Sequence, residues 1–224
     1  IEFSTWFVAI GLFGLIYFGI AALMQTDIKR MFAYSSASHL SFISAGIFSL
    51  NSYGINGALY LIIAHAIATG ALFLLVGLIH EQTGFKTIKD LGGIAKKAPI
   101  FTFIFAVMLF ANIGLPGTNG FVSELLIIFG IYEFNHTLGY ISALTVIIGA
   151  SYMLWMFQRA ILQNRPEGSI ELKMRDLKIK EILGLAPWVI LVFLMGFYPE
   201  VFMNKFEPTV THYLNDILQI GATK

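Results

Sequence analysis

The chain has 224 residues, 57% hydrophobic and only 12% charged, with a net charge of +1. Soluble domains carry roughly 25% charged residues, so this composition points to the membrane, where 21 Phe and 21 Gly suit closely packed helices. The near-neutral charge implies no nucleic-acid partner. The absence of Cys excludes disulfides and all-thiolate iron–sulfur or zinc sites. A chain that opens on Ile1, with no Met and no signal-peptide charge pattern, reads as a fragment of a longer membrane subunit.

Taken in order, the apolar segments predict an all-α membrane protein with six transmembrane crossings. The first covers residues 6–24 and is followed by the polar loop Gln25-Thr-Asp-Ile-Lys-Arg30. The second covers 31–50 and is closed by Asn51-Ser-Tyr-Gly-Ile-Asn-Gly57. The third covers 58–79. The fifth and sixth cover 140–162 and 182–203. Each is near the ~20 apolar residues that span a bilayer. Two polar connections, 80–99 and 207–224, place apolar residues at helical spacing: Phe85, Ile88, Leu91 and Ile94 in one, Val210, Leu214, Ile217 and Leu218 in the other. Both read as amphipathic segments at the interface, or as solvated connectors.

The fourth crossing is different. Residues 101–132 would make one straight helix of ~48 Å against a ~30 Å hydrocarbon core. Gly114-Leu-Pro-Gly117 lies inside it. Pro116 lacks a backbone donor, and Gly114, Gly117 and Gly120 permit irregular dihedrals. Two half-helices in series, joined by an unwound turn, fit the membrane. Loop charges test this count. Twelve of the 14 basic residues fall on one side if 101–132 crosses once. The positive-inside rule makes that side cytoplasmic and puts both ends of the chain outside. Lys29 and Arg30, at a helix end, read as snorkelling or pairing with Asp27.

Three polar groups inside predicted crossings stand out. Glu124 is a lone carboxylate eight residues past Pro116. A carboxylate at membrane depth is costly and marks function, and irregular backbone at that depth must line protein or a watery cavity. The two together suggest an internal path for protons or ions. The alternative is a structural carboxylate that accepts bonds from amides freed around Pro116. His65, in Ala64-His-Ala66, titrates near ~6.5 when unperturbed and suits proton relay; the alternative is a neutral His held in the bundle. His39 sits in Ser35-Ser-Ala-Ser-His39-Leu-Ser41, whose hydroxyls can satisfy His or helix carbonyls, or hold water. His80, His136 and His212 fall in loops or tails.

Several strings in this sequence resemble one family. These are Gln25-Thr-Asp-Ile-Lys-Arg-Met-Phe-Ala-Tyr-Ser-Ser-Ala-Ser-His39, Leu61-Ile-Ile-Ala-His65, Leu91-Gly-Gly93 and Gly114-Leu-Pro-Gly-Thr-Asn-Gly-Phe-Val-Ser-Glu124. They look like the antiporter-like, proton-pumping membrane subunits of respiratory complex I, the NADH:quinone oxidoreductase. Multi-subunit sodium/proton antiporters and membrane-bound hydrogenases share that family and give the alternative reading. A Glu after Gly-Leu-Pro-Gly-Thr is similar to the subunit M branch, where sister subunits usually carry Lys. The resemblance implies a fold of 14 helices. Residues 1–162 would be its second five-helix repeat, with the fourth crossing discontinuous. Residues 163–224 would supply a cytoplasmic loop, the final transmembrane helix and an amphipathic tail. It further implies Glu124 as the terminal proton-transfer residue, His65 as a relay from upstream lysines, and His39 as a further candidate. This chain would hold no cofactor: NADH, FMN, iron–sulfur clusters and quinone would sit in other subunits. Its partners would be the other membrane subunits, the lipid bilayer and protons, in a bacterial inner membrane.

Overall fold

The computed structural model describes residues 3–165 and 173–222, with side chains given up to residue 216. Among them the secondary structure is helical apart from one isolated bridge between Asp27 and Thr87. The described residues are therefore all-α, and four helical runs among them are long and apolar enough to cross a membrane: Ser4–Leu23, Ser52–Thr83, His136–Leu162 and Ile179–Phe197.

α1 (Ser4–Leu23) and α2 (Ile28–Phe48) form a hairpin. The loop between them ends at Asp27, whose carboxylate accepts from the backbone amides of Lys29 and Arg30 at 2.8 and 3.1 Å. Asp27 is thus an N-cap, and it meets the backbone of those two residues. Gly11 and Gly14 of α1 lie so close to Ala45 and Ser41 of α2 that an added Cβ would collide with them. Small residues let apolar helices approach in lipid, where no hydrophobic force drives them together.

α3 (Ser52–Thr83) is a single helix of 32 residues. It starts at Asn51, which accepts from the Gly54 amide, and ends at Gly84 in the left-handed region. It packs against α2 and against most of the helices that follow it in the bundle core. The helix runs past the predicted third crossing at both ends: residues 52–57, read as a connection, form its first turns behind the Asn51 cap, and nothing in His80–Thr83 stops it before Gly84.

The connection 80–99 is the clearest departure from expectation. It is a short 3-10 turn (Ile88–Asp90) and a four-residue α4 (Ile94–Lys97), with no amphipathic helix at the interface. Gly92 and Gly93, at φ 144° and 68°, end any helix between them. Ile88, Leu91 and Ile94 are buried in the protein's own core. The segment is tied down by Ile28 N–H to Lys86 O, Ile88 N–H to Thr26 O and Gly93 N–H to Gln163 O, at 3.1, 2.8 and 2.7 Å.

Residues 99–134 form two helices, α5 (Pro99–Ile113) and α6 (Asn119–Phe134). At 15 and 16 residues each is about 23 Å long. Gly114 and Gly117 hold φ of 79° and 92° in the turn between them. Then come α7 (His136–Ser142), α8 (Leu144–Phe157) and a π-helical turn (Gln158–Leu162), one nearly continuous run. α9 (Ile179–Phe197) stops short of the predicted residue 203, because Pro199 separates it from the four-residue α10 (Glu200–Met203). α11 (Glu207–Ala222) follows. In it Val210 is buried, while Ile217 and Leu218 fall outside the described side chains.

Two apolar clusters occupy the interior. One gathers Phe32, Leu72, Ile88, Phe105 and Met156; the other gathers Leu12, Phe42, Leu61 and Ile127. His39 lies in sequence between Phe32 and Phe42, and His65 between Leu61 and Leu72, so the polar groups fall between the two clusters.

Candidate functional site

His39 comes from the middle of α2, His65 from α3 and Glu124 from the second turn of α6. The structure brings all three together. His39 Nδ1 lies 3.8 Å from Glu124 Oε1, a separation suited to an ion pair and too long for a hydrogen bond. On its other side the His39 ring lies 4.8 Å from the His65 ring, centroid to centroid, with 35° between the planes. His39 thus touches both of the others and links them. His39 and Glu124 are 5% and 4% exposed, out of reach of lipid and bulk water, whereas His65 is half-buried.

The backbone break positions the carboxylate. A Cβ on Gly114 would lie 2.8 Å from Glu124 Oε2, and one on Gly120 would strike the Ala111 carbonyl oxygen. The first turn of α6 therefore folds back onto the last turn of α5, and the carboxylate rests on the bare Cα of Gly114. α9 braces the turn from outside, with Gly196 against the Gly117 carbonyl. The amides around Pro116 turn away from Glu124: Gly114 N–H reaches Ala111 O, Leu115 N–H reaches Phe110 O, and Thr118 N–H reaches Leu115 O, at 3.3, 3.0 and 3.0 Å. None of these three amides donates to Glu124.

Sequence reasoning missed the polar frame around the row. Asn112 Nδ2 donates to Thr69 Oγ1 at 2.7 Å, and Thr69 Oγ1 lies 3.1 Å from His65 Nδ1. Asn119 Nδ2 donates to Ala64 O at 3.3 Å. Thr69 was visible as the residue four after His65, one helical turn on. Asn112 was visible by the logic that singled out Glu124, as a polar group in an apolar run. The serines near His39 serve other partners. Ser35 Oγ pairs with the Tyr152 hydroxyl at 2.9 Å, Ser38 Oγ donates to Leu15 O, and Ser41 Oγ donates to Ala37 O.

Three buried polar atoms of this site have no hydrogen-bond partner among the described residues: His39 Nδ1, Asn112 Oδ1 and Asn119 Oδ1. A cavity of about 10 Å³, lined by His39, His65, Asn112, Gly120 and Glu124 among others, opens where the row meets the break. That is about the space one water needs, and a buried water needs two or more polar partners. The site therefore holds three titratable groups in contact, a polar frame and room for a proton carrier. His80, His136 and His212 have other neighbours and do not join it.

Comparison with known proteins bears on the family and the fold. Residues 1–149 match the family described as NADH:quinone oxidoreductase/Mrp antiporter, TM. NADH-quinone oxidoreductase subunit M of Rickettsia bellii is 36% identical over 213 residues, covering 95% of this chain and 43% of that protein. Among solved structures, a chain of respiratory complex I from Thermus thermophilus superposes with a TM-score of 0.87 at 30% identity, over 96% of this chain and 45% of that one. A chain of the Mrp complex from Dietzia superposes at 0.85 with 15% identity, over 96% of this chain and 48% of that one, which shows a shared fold alone. The chain spans less than half the length of these relatives. It belongs to the NADH:quinone oxidoreductase/Mrp antiporter family of transmembrane subunits.

Proposed function

We propose that this chain is part of a proton-translocating membrane subunit of NADH:quinone oxidoreductase, of the subunit M type. The observation that carries the reading is the row His65, His39, Glu124 ending against a helix break. In this reading α5 and α6 make one discontinuous crossing, since neither half is long enough alone. α2 makes another, which gives six. Residues 1–162 form one helical repeat, and 163–224 add the last crossing and the tail. The twelve basic loop residues face the cytoplasm and both ends face the periplasm, in a bacterial inner membrane.

A change of charge elsewhere in the complex, driven by quinone reduction, alters the proton affinity of buried groups here. Two unit charges ~4 Å apart at an effective dielectric of ~20 interact by about 4 kcal/mol, enough to move a proton between neighbouring sites. A proton arriving from lysines on the upstream part of the subunit passes to His65, crosses His39 and reaches Glu124, which releases it outward. NADH, FMN, iron–sulfur clusters and quinone are bound by other subunits, so this chain contributes translocation and no redox step.

A second reading is a subunit of a sodium/proton antiporter, favoured by the shared fold with the Mrp complex. The higher identity to subunit M supports the first. Sodium dependence of transport separates them.

The test is Glu124→Gln in the intact complex, in sealed vesicles, with proton uptake and NADH oxidation measured together. Gln keeps the shape and most hydrogen bonds but cannot carry the proton. The variant is expected to assemble normally and to lose most of both activities, while Glu124→Asp keeps part of each. Wild-type rates in an assembled Gln variant would falsify the reading.

A further inference from the structure

We propose that Asn112 and Thr69 are positioning residues for proton transfer through His65. This rests on the reading of His65 as a relay. On a helix, a Thr hydroxyl ordinarily bonds the carbonyl four residues back. Thr83, Thr102 and Thr211 all do so, to Ile79, Ala98 and Glu207. Thr69 departs from that habit. Its hydroxyl faces the His65 ring, 3.1 Å from Nδ1 and 3.4 Å from Nε2. Asn112, on the last turn of α5, donates to that oxygen at 2.7 Å.

The donors and acceptors around Thr69 define how it can hold the ring. A Thr hydroxyl has one proton and two lone pairs. Asn112 fills one lone pair, which leaves one proton and one lone pair for His65: the hydroxyl can donate to an unprotonated ring nitrogen or accept from a ring N–H. Both ring nitrogens lie within reach of that oxygen, at 3.1 and 3.4 Å, so Thr69 meets the ring in either tautomer. When His65 gains a proton, the Thr69 hydroxyl turns about its C–O bond and accepts from the ring with its second lone pair. Both states of His65 are accommodated by one rotor, with no movement of the helix.

Asn112 also connects His65 to the rest of the row. It is 5% exposed. Its Oδ1, which has no partner among the described residues, belongs to a side chain lining the cavity shared by His39 and Glu124. Asn112 stands two residues before Gly114, where the backbone turns left-handed. The break that places Glu124 therefore also fixes the amide that orients His65.

The test uses the intact complex in vesicles, with the rate of proton pumping driven by NADH oxidation as the readout. Thr69→Val keeps the shape and loses the hydroxyl; Thr69→Ser keeps the hydroxyl; Asn112→Leu removes the amide. Losing one hydrogen bond to the relay is expected to lower pumping about fivefold in Thr69→Val and Asn112→Leu, with Thr69→Ser near wild type. In a His65→Ala background, adding Thr69→Val should cause no further loss, because both act through the same ring. Wild-type pumping in Thr69→Val and Asn112→Leu, alongside a loss in His65→Ala, overturns this proposal and leaves the relay standing. Full pumping in His65→Ala removes the relay and the proposal together. If Thr69→Val does not assemble, Thr69→Ala takes its place. Failure of both to assemble beside an active Thr69→Ser marks Thr69 as structural and also overturns the proposal.

Discussion

Residues 52–83 form one unbroken helix, whereas residues 99–134 form two, with five residues between them. Both stretches are apolar and both are rich in glycine. α3 carries Gly54, Gly57, Gly70 and Gly77, and none of them leaves the helix. Gly54 and Gly57 are there for contact: Gly130 of α6 lies against Gly54, and Ile127 and Leu126 lie against Gly57. In the second stretch Gly114 and Gly117 adopt left-handed dihedrals around Pro116. Glycine in an apolar helix thus allows close approach, and it takes a proline flanked by left-handed glycines to break one. The difference divides the labour. The continuous helix carries His65, and the interrupted stretch brings Asn112 onto Thr69 beside it and Glu124 onto His39.

The strongest way to break this comparison is to remove the link between the two stretches. His39 belongs to neither, yet it touches both Glu124 and the His65 ring. If protons cross it, His39→Ala should lower pumping as much as His65→Ala does. A fall on the order of 100-fold, the low end of what one proton-transfer group contributes, is expected for each, with assembly intact. Another titratable residue at position 65 should be milder than Ala. Normal pumping in assembled His39→Ala would place His65 and Glu124 in direct exchange and reduce His39 to packing.

A smaller effect compares glycines in the two stretches. Gly114→Ala puts a Cβ at φ 79° and against the Glu124 carboxylate; a non-glycine residue in the left-handed region costs about 1–2 kcal/mol before any collision. Gly77→Ala on α3 meets nothing within 4 Å and should gain about 0.5–1 kcal/mol from helix propensity. Thermal unfolding of the purified complex, followed by loss of this subunit, should move in opposite directions for the two. A shift in the same direction would mean that the break is not what distinguishes these glycines.

Much of this was legible in the sequence, for physical reasons. Glu124 stands out because a carboxylate in an apolar run has so few explanations. The interruption near Pro116 is written in Gly114-Leu-Pro-Gly117. The meeting of His39 with Glu124 is not written anywhere locally. It depends on how α2, α3 and α6 are registered against one another, and that register is set by contacts such as Gly46 on Gly54 and Gly54 on Gly130. The connection 80–99 misled for a different reason. Phe85, Ile88, Leu91 and Ile94 have helical spacing, but that spacing does not say whether a core or a lipid surface receives them. The neighbouring Gly92 and Gly93 were the better guide.

The last comparison concerns how the two stretches begin. α3 is capped locally by Asn51, whose side chain accepts from the Gly54 amide at 2.9 Å. α5 begins at Pro99 and takes its cap from far along the chain: Asp176 accepts from the amides of Ile100 and Phe101 at 3.0 and 2.8 Å, and from Leu177 at 2.9 Å. Partial burial opposes the charge on Asp176, but these three backbone N–H groups outweigh it and hold the carboxyl below its ordinary range. A group whose folded value is depressed stabilises the fold above its unfolded value of ~3.9, and that contribution is lost as pH falls through the lower folded value. Asp176→Ala should therefore cost about 1 kcal/mol at neutral pH, the usual worth of an N-cap, and Asp176→Asn less, since an amide oxygen still accepts. Melting curves of wild type and Asp176→Ala, taken from neutral pH downward, should begin to approach each other near pH ~4 and meet only once the pH is below the lowered folded value and the wild-type carboxylate is protonated. Curves that stay apart at low pH would show that packing of the side chain, and not its charge on the α5 amides, anchors the start of the broken helix.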